Sequence, residues 1–163
     1  FHPLPGGRYA LSRTCEGLGE YSGRGGRQLY THALIVDDKK LRQAGNQPFS
    51  LYRDALALGY LHYQPEPDTT LRPVKLSSLY LATDPAYWTE RAGALGLSSL
   101  KDWLERLTSN QAVELAYAGD RMLLAECLIG LVPPESRLQV SFATSLRPSM
   151  VRPYQLVLID TAA

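Results

Sequence analysis

The sequence predicts an α+β domain: a mixed, largely antiparallel sheet with about four helices packed on it, in the order β-β-α-β-α-α-β-α-β-β. Three observations lead there. Two strand-like runs flank a glycine-rich loop near the start of the chain. Helical spacing with matching start and stop residues recurs between Pro48 and Leu131. Strand-like runs close the chain after Pro133-Pro134.

Taken in order, Tyr9, Leu11 and Arg13 alternate with Ala10, Ser12 and Thr14, so Arg8–Thr14 reads as a half-buried strand. Leu29–Asp37 reads as a more central one, because Ala33-Leu-Ile-Val36 is apolar on both faces. Pro48 suits the first turn of a helix running to about Leu58, with Phe49, Tyr52 and Leu56 on one face and Gly59 as its stop. Tyr60–Pro67 is then an extended exit. Leu71–Leu76 reads as a short strand that Pro73 confines to an edge. Asp84-Pro85 starts a helix that ends near Gly96. Ser99 and Asp102 have the spacing of a capping box, and Leu100, Trp103, Leu104 and Leu107 follow at helical spacing. Val113, Leu115 and Tyr117 form another strand, and Asp120 caps a helix over Arg121–Leu131 that is apolar nearly all round. This helix is expected to be the most buried, with Leu124 and Leu128 in the core. Leu138–Ser145 and Tyr154–Asp160 then read as an antiparallel pair across a connection rich in arginine and proline.

The 163 residues suit a single globular domain over 1–163, and a chain that opens on Phe1 reads as an N-terminal module cut from a longer multidomain protein. Seventeen basic and sixteen acidic residues give a net charge of +1, so no global field steers nucleic acid or an anionic membrane. Nucleic acid is therefore not the expected partner. The longest apolar stretch, Met122–Val132, is interrupted by Glu126 and falls short of the roughly 20 residues a spanning helix needs. Cys15 and Cys127 lie far apart, without the spacing of a metal site or a disulfide framework, so a cytoplasmic location without metal or cofactor is expected.

The segment from Gly17 to Arg27 is the strongest candidate for binding. Gly23, Gly25 and Gly26 free the backbone for close approach, and Arg24 and Arg27 add two planar cationic forks. The connection Leu146–Pro153 repeats the theme with Arg147 and Arg152. If the two loops converge, they form one cationic patch for a carboxylate or phosphate. The competing reading is a pair of hairpin loops with solvated arginines.

His32 shares a strand face with Tyr30, Leu34 and Val36, the usual place of a hydrogen-bonded packing histidine. An enzyme reading makes it the general base for Cys127 or Cys15, as in a cysteine-dependent hydrolase or transferase. Cys127 lies mid-helix in an apolar run, where a thiol is inert, and Glu16 beside Cys15 disfavours a thiolate. Ten tyrosines against three phenylalanines suit surfaces that are part apolar and part wet, and Tyr60, Tyr63, Tyr80, Tyr87 and Trp88 are candidates for a docking surface.

Four strings, Gly7–Thr14, Glu20–Gly26, Tyr30–Val36 and Val132–Thr144, together resemble the N-terminal domain of bacterial GTPase-associated protein 1, from NTPase-linked conflict and signalling systems. The resemblance implies a non-enzymatic recognition or adaptor role. Its implied partner is a protein, either a GTPase or downstream domains of the same polypeptide. It implies no catalytic residue in this chain.

Overall fold

The structure, a computed structural model, describes residues 1–19, 27–64, 70, 72–77, 80, 84–96, 98–146, 150–151 and 153–161. A long hairpin dominates the N-terminal half. Strands β1 (His2–Leu4), β2 (Arg8–Gly19) and β3 (Arg27–Asp37) form an antiparallel sheet in that order. The β2–β3 register runs from Arg8 opposite Asp37 to Glu16 opposite Leu29, then shifts so that Gly19 meets Arg27. Alternation sends Leu11 and Val36 into the core and leaves Ser12, Thr14, Thr31 and Ile35 exposed on the other face. The hairpin is longer than its alternation indicates: β2 continues to Gly19, because backbone pairing persists where the side-chain pattern fades.

The chain leaves β3 directly into helix α1 (Asp38–Gln43), capped by Asp37, whose carboxylate accepts from the Lys40 N–H at 2.7 Å. Helix α2 (Pro48–Ala57) starts at Pro48 as expected, but Phe49, Leu51 and Ala55 are its buried residues, whereas Tyr52 and Leu56 are only half-buried. Gly59, at φ +82°, turns the chain after it. Residues 72–77 make no ladder, so the expected strand over Leu71–Leu76 is absent from its described part; Pro73 lacks the N–H that a ladder uses.

Helix α3 (Pro85–Ala94) is capped by Asp84, which accepts from the Ala86 N–H at 2.8 Å. Helix α4 (Leu100–Thr108) follows Ser99, but Ser99 makes no side-chain capping bond, so the expected capping box does not form. Helix α5 (Arg121–Leu131) begins at Asp120, which accepts from the Leu123 N–H at 3.0 Å. Its Leu124, Cys127, Leu128 and Ile129 are fully buried.

The largest departure lies in the last strands. Strand β4 (Val113–Ala116), β5 (Phe142–Ala143) and β6 (Leu156–Ile159) form a second sheet in the order β4-β6-β5, and both pairings are parallel. The expected antiparallel pair assumed long strands joined by a short connection. Instead, Leu138–Ser145 starts in a 3₁₀ turn over Arg137–Gln139 and keeps only Phe142–Ala143 as strand, and the β5–β6 connection spans 144–155. A connection of about a dozen residues allows the return that parallel strands require. The expected single sheet is thus two ladders, which touch where Phe1 and Phe142 exchange both backbone hydrogen bonds at 2.9 Å.

Arg137 fastens the halves together. Its buried guanidinium donates to the carbonyls of Val132 (2.8 Å), Gly130 (2.7 Å) and Gly45 (3.0 Å), holding the end of α5 against the turn after α1. Two of these charge-assisted bonds satisfy carbonyls that the end of α5 leaves open, and the third ties it to the turn.

Candidate recognition cleft

Strand β3 is an edge strand, and the direction of its backbone groups follows from one bond. The Asp38 N–H donates to the Gly7 carbonyl at 3.1 Å, which makes Gly7 and Asp38 a hydrogen-bonded pair in the β2–β3 register. Such pairs alternate with non-bonded ones. Tyr30, His32, Leu34 and Val36 therefore bond to β2, whereas Thr31, Ala33 and Ile35 aim their N–H and C=O groups away from it. The hydroxyls of Thr14 and Thr31, 2.9 Å apart, fit the close approach of side chains at a non-bonded pair. Among the described residues no backbone partner meets Thr31, Ala33 or Ile35 on the open side.

That open edge borders a cleft of about 1130 Å³. Eight consecutive residues, Tyr30–Asp37, line it, from both faces of the strand, so it is the edge itself that opens into the space. Residues 72–76 form the opposite wall, and Tyr60, Leu61 and Gln64 contribute one end. The wall is anchored: Lys40 donates to the carbonyls of Leu76 and Ser77, while Asp54 of α2 accepts from the Ser77 N–H and from the Tyr80 hydroxyl at 3.2 Å. Burial, then the charge and hydrogen bond of Asp54, push the Tyr80 phenol up to about 12.

The inner face of the hairpin carries the other candidate residues. Tyr30 packs edge-on against His32 (5.5 Å between ring centroids) and against Tyr63 (5.3 Å). Arg13, opposite His32, donates to the Leu61 carbonyl at 2.9 Å. His32 is half-buried, but its Nδ1 is buried without a hydrogen-bond partner among the described residues, so it is not the hydrogen-bonded packing histidine expected. Cys15 pairs with Tyr30 and thus sits diagonal to His32 on the same face. Cys127 belongs elsewhere, packed with Trp88 and Ala92 where α3 meets α5. Burial and the adjacent Glu126 raise its thiol pKa, against a smaller opposing effect of Arg91.

Of the binding residues proposed from sequence, Gly23, Arg24, Gly25, Gly26, Arg147 and Arg152 lie outside the described residues. The Arg27 backbone closes the hairpin opposite Gly19. Leu146, which begins the second arginine connection, borders a smaller cavity of about 270 Å³ beside Thr14, Tyr52 and Met122. Of the aromatic candidates, Trp88 is core, Tyr87 is exposed, and Tyr60 lines the cleft, as does Tyr30, which was not among them. The cleft itself escaped the sequence reading. Its signal was the stretch Gln28–Val36, which contains no Asp, Glu, Lys, Arg or proline, the residues that usually guard an exposed strand edge.

Residues 1–75 match the family model of the GTPase-associated protein 1 N-terminal domain, type 2. This is the family that the strings resemble, and three of the four strings fall inside the matched range, with Val132–Thr144 beyond it. The matched range holds β1–β3, α1, α2 and every residue lining the cleft except Leu76. No curated protein and no solved structure matches the chain. Among the described residues no helix is long and apolar enough to cross a membrane, and no group of three His, Cys, Asp or Glu side chains is placed to hold a metal ion.

Proposed function

We propose that this domain is a non-enzymatic recognition module of a GTPase-associated protein, an adaptor that takes a protein or peptide segment and passes the event to a GTPase or to further domains of its own polypeptide. One observation carries the reading: the unpaired edge of β3 opens on a cleft with an anchored far wall, inside the part that matches the family. Lysine-directed cross-linking to the GTPase partner tests it. Cross-links at Lys75, on the cleft wall, are expected, and a partner that cross-links only outside 1–75 would remove the assignment.

The rival reading, a cysteine-dependent hydrolase or transferase, gains support only from the diagonal placement of Cys15 and His32. Thiol labelling at neutral pH separates the two. The adaptor reading expects Cys15 to react at the rate of an ordinary half-exposed thiol, unchanged by His32→Ala, and Cys127 to react only on unfolding. Fast labelling of Cys15 that His32→Ala abolishes would favour the enzyme.

A further inference from the structure

We infer that the cavity of about 270 Å³ between β2 and β5 is a strand socket, filled by whatever residues the polypeptide carries directly ahead of Phe1, which extend β1 backwards across it. The inference is independent of the recognition reading above and concerns a different strand edge. Its occupant follows from the path of β1, which lies between the two walls and leads into the space.

Alternation fixes the first wall. Gly7 and Asp38 are bonded at 3.1 Å, so Tyr9, Leu11 and Arg13 bond to β3, while Ala10, Ser12 and Thr14 turn their N–H and C=O groups to the opposite edge of β2. His2 faces Ala10 on that edge. Beyond it, Ser12 and Thr14 meet no backbone partner among the described residues, and Leu11, Ser12, Arg13 and Thr14 all line the cavity. Residues 142–146 line it from the other side.

Phe1 shows that the gap is one strand wide. It falls opposite Leu11, whose own groups are spent on β3, and it exchanges both backbone bonds with Phe142 at 2.9 Å. Its ring stacks on Tyr9 at 5.5 Å and on Phe142 at 5.4 Å. A chain traced backwards from Phe1 passes β2 from Leu11 toward Thr14 and β5 from Phe142 toward Ala143, so one antiparallel strand keeps step with both walls. The residue directly before Phe1 then bonds to Ser12, and the third before it bonds to Thr14. The second turns its side chain inward, opposite Arg13 and toward the half-buried Tyr52 and Met122 of the cavity lining. Such a strand joins the two ladders into one mixed sheet, in the order β3-β2-β1-β5-β6-β4.

The test compares the 163-residue chain with versions that carry three further residues directly ahead of Phe1. These are threonine-valine-threonine, the inverted valine-threonine-valine, and threonine-valine-proline. Amide hydrogen exchange is read at Ser12 and Thr14. Threonine-valine-threonine is expected to slow both by about tenfold or more, while Leu11 and Arg13, already bonded to β3, change little. The inverted version, which turns valine outward, is expected to protect less. The proline version lacks the N–H that the Ser12 carbonyl would accept and is expected to lose most of the protection.

Unchanged exchange at Ser12 and Thr14 with threonine-valine-threonine overturns the inference, as does equal protection by the proline version. Stronger protection by the inverted version overturns the register and with it the socket. Protection that grows with protein concentration would make a second copy the occupant and likewise overturn it. So would failure of the threonine-valine-threonine version to fold where the 163-residue chain folds, because a socket is not unfolded by its own occupant.

Discussion

The two sheets of this domain use their strands in opposite ways. In the parallel sheet, Leu156, Val157 and Leu158 of β6 are all buried, since β4 and β5 flank the strand and α5 packs on it. In the antiparallel sheet, β3 alternates half-buried residues with exposed ones and, among the described residues, has a strand partner on one edge only. A strand buried on both faces serves folding, whereas an alternating edge strand keeps hydrogen-bonding capacity in reserve. The comparison puts the fully buried strand in the C-terminal sheet and the spare hydrogen-bonding groups in the N-terminal one, with Arg137 fastening the end of α5 to the turn after α1.

The widest gap is expected between core and edge. Leu128→Ala, at a fully buried site on α5, is expected to cost about 2–5 kcal/mol in urea unfolding. Ile35→Ala on the exposed face of β3 is expected to cost under about 0.5 kcal/mol. Similar values at both sites would break the comparison.

Glycines sharpen it next. A Cβ on Gly130 would lie 2.6 Å from Cε2 of the buried Trp88, so Gly130→Ala is expected to lose about 1–3 kcal/mol through forced repacking. The same change at Gly17 brings a Cβ 3.1 Å from the half-buried ring of Tyr63, which can shift, and its cost is expected to stay below about 1 kcal/mol.

Caps should not follow the divide, because they depend on one local bond. Asp37→Ala and Asp120→Ala each remove a carboxylate that accepts a helix N–H, at 2.7 and 3.0 Å, and each is expected to cost about 1 kcal/mol. Ser99→Ala, which removes no such bond, is expected to stay within about 0.5 kcal/mol. Equal losses at Ser99 and Asp120 would restore the capping box that the structure lacks.

The smallest effect is a pH dependence on the cleft side. The folded state raises the Tyr80 phenol from 10.0 to about 12 and so favours its neutral form. Its contribution is complete below pH 10 and is lost as the pH rises from 10 toward 12. Urea midpoints of Tyr80→Phe should therefore fall less steeply above pH 10 than those of the unaltered protein. Parallel curves would mean that the phenol does not report on the wall's contact with Asp54.

The sequence by itself determined the α+β class, the starts of α2, α3 and α5, the burial of Leu124 and Leu128, and the likeness of residues 1–75 to the family model. These depend on nearest-neighbour physics: a proline that presets φ, a carboxylate two or three residues before an open N–H, a periodicity of 2 or 3.6. Tertiary structure alone decided the rest. Whether Phe142–Ala143 runs parallel to Leu156–Ile159 depends on contacts far apart in sequence, which no local pattern encodes. Whether Ser99 reaches its N–H depends on a backbone angle, and whether 72–77 joins β3 depends on where Lys40 and Asp54 hold it. The cleft exists because that wall is anchored to α1 and α2 rather than to the strand it faces.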